Sequence, residues 1–117
     1  MKQVLLDTNF IITCVKQKID FFVDLQFLGL KVLIPKQVIV ELKGLKISGA
    51  KFALKLLEKN KFGEIDIGNG EVDKRIKLFA DKNPEILVAT LDKELREQIK
   101  KNNKMIIIKS KKKLEIV

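Results

Sequence analysis

No histidine occurs in this chain of 117 residues. Ser-His-Asp and Cys-His nucleophiles, imidazole acid–base catalysis and the usual zinc sites all need that side chain, so any chemistry must come from carboxylates. Cysteine is nearly absent as well. Cys14 stands alone, which rules out an internal disulfide, and its neighbours Ile11, Ile12 and Val15 mark it as a small buried core residue. No apolar run approaches the length that spans a bilayer, and Asp7 interrupts the only early one. Neither a membrane helix nor a signal peptide is expected, and the chain reads as cytoplasmic. Two Pro, six Gly and an apolar content of 46% suffice for one compact domain in a chain too short for two. Phosphate-cradling loops are missing too, since Gly68-Asn69-Gly70 lacks both a later glycine and a Lys-Ser/Thr pair.

What is present is a basic excess, +9 overall, concentrated toward the end of the chain. Between positions 100 and 117 stand Lys100, Lys101, Lys104, Lys109, Lys111, Lys112 and Lys113 against a single acid, Glu115. Such a stretch is either an electrostatic footprint for a polyanion, nucleic acid first among them, or a solvated tail. We accordingly divide the chain into a domain over 1–109 and a Lys-rich tail over 110–117.

The opening run Val4-Leu5-Leu6 ends abruptly in Asp7-Thr8-Asn9. It predicts a buried strand over 3–6 that delivers a carboxylate to its end, with Thr8 or Asn9 starting a helix over 9–17. A helix over 19–28 follows, its apolar residues nearly surrounding it, which points to a subunit interface in a homodimer or to a fully buried central helix. A strand over 31–34 leads through Pro35 into a helix over 36–45, with Glu41 at the rim of its apolar stripe and no partner for it at Gly44 or Leu45. The spacing then predicts a helix over 50–60 with Phe52, Ala53, Leu56 and Leu57 inward, and a strand over 64–67. A helix over 71–81 carries Asp73 in its first turn, where either it or Glu71 complements the macrodipole. The strand over 86–89 ends in Thr90-Leu91-Asp92, repeating the opening pattern before a helix through Leu95 and Ile99. A last strand covers 105–108.

Five strands alternating with helices imply an α/β fold, a single-domain doubly wound five-stranded parallel sheet with helices on both faces. If the first and fourth strands are neighbours, Asp7 and Asp92 emerge side by side at the carboxyl edge, where such sheets bind ligands. Glu41 and Asp73 lean in from adjoining helices. Four acids on one rim repel unless protons or cations hold them, and carboxylates suit hard cations such as Mg²⁺ or Mn²⁺.

At these residues the chain resembles the PIN domain nucleases. Asp7-Thr8-Asn9, Glu41 after Pro35, Asp73 in Gly70-Glu71-Val72-Asp73-Lys74-Arg75-Ile76, and Thr90-Leu91-Asp92 match the four acidic motifs of that family in order, over nearly the whole chain. The resemblance implies the strand order 3-2-1-4-5. It implies that Asp7, Glu41, Asp73 and Asp92 bind one or two Mg²⁺ or Mn²⁺ ions, while Thr8, Asn9 and Thr90 orient the carboxylates. It implies hydrolysis of RNA phosphodiester bonds by a metal-activated water, single-stranded RNA as substrate, and phosphate contacts from Lys109, Lys111, Lys112 and Lys113.

Two subgroups compete. Glu41-Leu42-Lys43-Gly44-Leu45 and Thr90-Leu91-Asp92-Lys93-Glu94-Leu95-Arg96 look more like the group that processes pre-ribosomal RNA than like VapC-type toxins, which are silenced by a small antitoxin. Leu91 departs from that group, which usually has Asn there, and a further Asp one turn later is missing. Fewer acids leave the number of metal ions open. A non-enzymatic reading, a catalytically silent RNA-binding or assembly module, would keep the basic tail but has no use for four acids. A phosphorylation receiver fits less well, because one acid rather than two follows the first strand and Asp66 lies inside its own.

Overall fold

The computed structural model describes residues 1–110 and 112–117. In chain order the elements are β1 (Lys2–Leu6), α1 (Thr8–Lys16), α2 (Phe21–Phe27), β2 (Leu30–Pro35), α3 (Lys36–Gly44), α4 (Ser48–Glu58), β3 (Gly63–Ile65), α5 (Val72–Lys82), β4 (Leu87–Ala89), α6 (Lys93–Ile99), β5 (Met105–Lys109) and β6 (Lys113–Ile116). The strands lie in the order β3-β2-β1-β4-β5-β6. Each pair from β3 to β5 is parallel, so the expected core order 3-2-1-4-5 holds.

β1 is central because all of Val4, Leu5 and Leu6 are apolar and fully buried, a continuous run that only a strand covered on both faces can use. Its alternation sorts the helices. Val4 and Leu6 pack into a core with Phe10, Cys14, Phe21, Val38 and Ala53, from α1 through α4. Leu5 points to the opposite face, where Ile76 and Ala80 of α5 meet Leu95 and Ile99 of α6. Among the described residues no helix is long and apolar enough to cross a membrane.

A sixth strand extends the expected five. Part of the stretch set apart as a Lys-rich tail turns back as β6, antiparallel to β5 with Ile108 opposite Leu114. The reason is an alternation hidden by the lysine content. In Lys113-Leu114-Glu115-Ile116 only Leu114 is buried, and it joins the same core as Ile106. Two helices also differ from expectation. α4 begins at Ser48, and its inward phase of Ala50, Ala53 and Leu57 leaves Phe52 exposed rather than inward. In α2, Phe21, Phe22 and Leu25 are buried, but Val23 and Phe27 face outward at 59% and 90% exposure.

Below the sheet, one buried amide ties the second layer together. The Asn103 Nδ2 donates to the carbonyls of Ala80 at 3.2 Å, Asn83 at 3.0 Å and Ile86 at 2.9 Å, joining the end of α5 and the approach to β4 to the approach to β5. Asn103→Ala strands those carbonyls, and we expect a loss of about 1–3 kcal/mol in urea unfolding, with the α/β far-UV signature kept.

Candidate active site

The carboxyl edge of β1 and β4 is built by register. Leu6 pairs with Ala89, so the next residues along, Asp7 and Thr90, fall side by side, and the Asp7 N–H continues the ladder to the Ala89 carbonyl at 3.2 Å. Asp7 is also the N-cap of α1, its Oδ1 accepting from the Phe10 N–H at 2.8 Å. Its Oδ2 accepts from the Thr90 hydroxyl. That hydroxyl oxygen in turn accepts from the Asp92 N–H at 3.2 Å. One buried Thr thus links the two acids that close adjacent strands. Asp92 caps α6 through its Oδ1, which accepts from the Leu95 N–H at 2.9 Å.

Glu41 and Asp73 arrive from opposite faces of the sheet. Thr8, the first residue of α1, donates its hydroxyl to Glu41 Oε1 and so draws the exposed end of that side chain toward Asp7. Asp73 sits in the first turn of α5. The chain before it is held by Arg75, whose Nε donates to the Ile67 carbonyl at 2.8 Å while its guanidinium lies against Gly68. Gly68 has φ +93°, a conformation that side-chain-bearing residues rarely adopt, and a Cβ there would press on the Arg75 guanidinium, so glycine suits the close approach of the loop to Arg75.

A cleft of about 350 Å³ runs between these groups, lined by Asp7, Thr8, Asn9, Glu41, Glu71 and Asp73. A smaller one of about 170 Å³ continues past Asp73 to Asp92 and Glu94. Burial pushes the Asp7 carboxyl up to about 6. The Thr90 and Phe10 hydrogen bonds oppose that rise, and the charges of Asp73 and Asp92 add to it. Asp73 is raised as well, first by burial, then by the charge of Asp92 and a hydrogen bond with it, and further by Glu41 and Glu71. The four expected acids therefore share one electrostatic site.

All its donors are oxygens, and their mutual repulsion would be relieved by a hard divalent cation. The donor chemistry fits such an ion. Among the described residues no three of these side chains form a ready ligand cage. Asp7 and Asp92 are fixed by cap hydrogen bonds, while Glu41 and Asp73 are exposed residues on the cleft wall, Glu41 held by the Thr8 hydroxyl.

Asn9 is exposed on the cleft wall, and its side chain bonds none of the carboxylates. Glu71, which the sequence offered only as a macrodipole partner, lines both clefts. Its one signal was its place two residues before Asp73 at the N-cap of α5. Lys109, Lys112 and Lys113 belong to the β5–β6 hairpin. That hairpin is on the carboxyl edge too, because β5 runs parallel to β4. Lys109 lies 3.7 Å from Glu115, and Lys111 lies outside the described residues. Cys14 is fully buried, and burial pushes its thiol up to about 12, consistent with a core role.

Fold and site together define a class: a doubly wound α/β protein with carboxylates gathered at a topological switch point. The chain belongs to the PIN-like domain family, whose model, described as a PIN like domain, matches residues 4–112. It is 31% identical to ribonuclease VapC4 of Methanocaldococcus jannaschii, over 99% of this chain and 97% of that protein. Among solved structures it is similar to the PIN domain endonuclease Utp24, with a TM-score of 0.86 and 28% identity over 97% of this chain and 90% of the other.

Proposed function

We propose that the protein is a Mg²⁺- or Mn²⁺-dependent endoribonuclease that cuts single-stranded RNA at the carboxyl edge of β1 and β4. The observation that carries this reading is Asp7, an acid kept almost dry and pushed up to about 6 with help from Asp73 and Asp92. Such an arrangement is costly for the fold unless a cation occupies it. Asp7, Glu41, Asp73 and Asp92 are the residues that would hold it. A bound divalent ion supplies Lewis-acid polarisation of the phosphate and a more acidic water.

The chain's own groups do the positioning. Thr90 fixes the plane of the Asp7 carboxylate and ties it to Asp92, and Thr8 directs Glu41. The phosphate backbone is held by Lys109, Lys112 and Lys113 on the hairpin one strand away, with Lys111 joining them on sequence grounds. The likeness to a protein named a ribonuclease supports RNA as substrate, and the likeness to one named an endonuclease supports internal cleavage.

The segments around Glu41 and Asp92 favour processing of ribosomal RNA precursors. The identity to VapC4 favours the second reading, a toxin with an antitoxin partner. Growth arrest on expression, relieved by a small neighbouring gene, separates the two. The activity itself is tested on an end-labelled single-stranded RNA with Mn²⁺, Mg²⁺ or EDTA. We expect internal cuts with either metal and none with EDTA. Cutting that persists in EDTA overturns the reading.

A further inference from the structure

At the edge of the sheet opposite the acids, where β1, β4 and β5 begin, a second cleft of about 590 Å³ opens beside the C-terminus of α6. Its walls carry Lys2, Arg96, Lys100, Lys101 and Lys104. The opposing anions are Glu85, Glu97 and the terminal carboxylate of Val117, and Lys100 pairs with Glu97 at 3.0 Å. Lys2, Arg96, Lys101 and Lys104 form no salt bridge among the described residues.

Complementation of the α6 macrodipole accounts for basic residues at the end of that helix. It does not account for Lys2, which opens β1, or for Lys104, which precedes β5. Those cations converge from separate elements on one concavity. The cleft is also held in shape, because Asn103 in its wall is anchored to three carbonyls. Cations held apart in a preformed groove suit a chain of regularly spaced anions better than a single small one.

The position of the cleft matters as much as its charge. The five residues of β1, at about 3.3 Å each, put Lys2 roughly 16 Å from the end that bears Asp7. β5 carries Lys109 at its carboxyl end, on the same sheet edge as the acids, and is preceded by Lys104 at the cleft. Cations therefore stand at both ends of the same flank of the molecule.

We propose that this cleft is a second anchoring site for the RNA strand, holding phosphodiester backbone beyond the bond that is cut and favouring substrates long enough to reach both edges. The identity of the ligand rests on the ribonuclease reading above. Its test uses the full chain and the triple variant K100A/K101A/K104A, whose three side chains are exposed and outside the acidic site. Binding in EDTA is compared for single-stranded RNA of about 4 and about 16 nucleotides.

For the long RNA the variant should lose affinity, and its salt slope should flatten by about 2, at ~0.7 for each phosphate no longer neutralised by a lysine. Binding and Mn²⁺-dependent cutting of the short RNA should be unchanged. Equal losses on both lengths, no loss on either, or a loss of binding to anionic lipid vesicles with RNA binding intact each overturn the inference. If the wild type cuts neither RNA but the length-dependent loss is seen, the ribonuclease reading falls while the cleft stands.

Discussion

Asp7→Asn is expected to abolish cleavage while making the metal-free protein more stable. The loss follows from removing the buried anchor of the proposed metal site, which forfeits several kcal/mol of charge stabilisation, on the order of a 10³-fold drop in rate or more. The gain follows from linkage. The folded protein raises Asp7 from 3.8 to about 6, so between those values the native state binds more protons than the unfolded one. Stability therefore falls as pH rises through that window.

Below it the carboxyl is protonated in both states and Asp7 costs nothing. Above pH 6 the cost is complete, roughly 3 kcal/mol for a shift of about 2 pKa units. Asn keeps an oxygen for the Phe10 cap and carries no charge. Urea unfolding in EDTA should thus show D7N more stable than wild type at pH 8 and equal to it near pH 3.5. Adding Mn²⁺ should stabilise only the wild type. A variant that is inactive but no more stable at pH 8 would mean that Asp7 is not strained, and the case for a cation there would weaken.

Thr90→Val has the second-largest expected effect, through a group that acts by way of Asp7 and Asp92. Thr90 is fully buried, donates to Asp7 and accepts from the Asp92 N–H. Valine matches its shape and removes both bonds. The stranded Asp92 N–H and the less satisfied Asp7 carboxylate should cost about 1–3 kcal/mol in stability.

The Thr90 bond holds the Asp7 value down, so losing it moves that value further up from about 6. The acid limb of the pH–rate profile should shift to higher pH in T90V, with activity at the plateau reduced about 10–100-fold, as when a metal ligand loses its orienting partner. Thr90→Ser restores the hydroxyl and should return the limb to its wild-type position, at a small cost from the missing methyl. A purely structural role would lower stability in T90V and leave the pH profile in place.

Legibility differed between the fold and the site. The Val4-Leu5-Leu6-Asp7 and Leu87-Val88-Ala89-Thr90 runs announced buried strands ending in polar groups, and apolar periodicity placed every parallel strand to within about two residues. β6 was less visible, because four residues of alternation were masked by lysines whose charge reads as solvated tail. Phe52 was misplaced for a similar reason. On a helix as rich in apolar residues as α4, composition leaves the phase open, and only the packing of Ala50 and Ala53 against α1 and α3 selects it.

The sequence by itself determined the chemistry on offer. Without histidine and with one cysteine, the groups on offer for acid or metal chemistry were carboxylates, and their positions after strands and in helices pointed to one edge of a parallel sheet. What only the tertiary structure decided is how those acids differ from one another. Asp7 became the dry, strained member because β1 is covered on both faces, whereas Glu41 and Asp73 stayed exposed. Thr90 became the link because parallel register sets β4 beside β1 across 83 positions of sequence. Local pattern carries residue type and periodicity, but desolvation and register are properties of the packed chain.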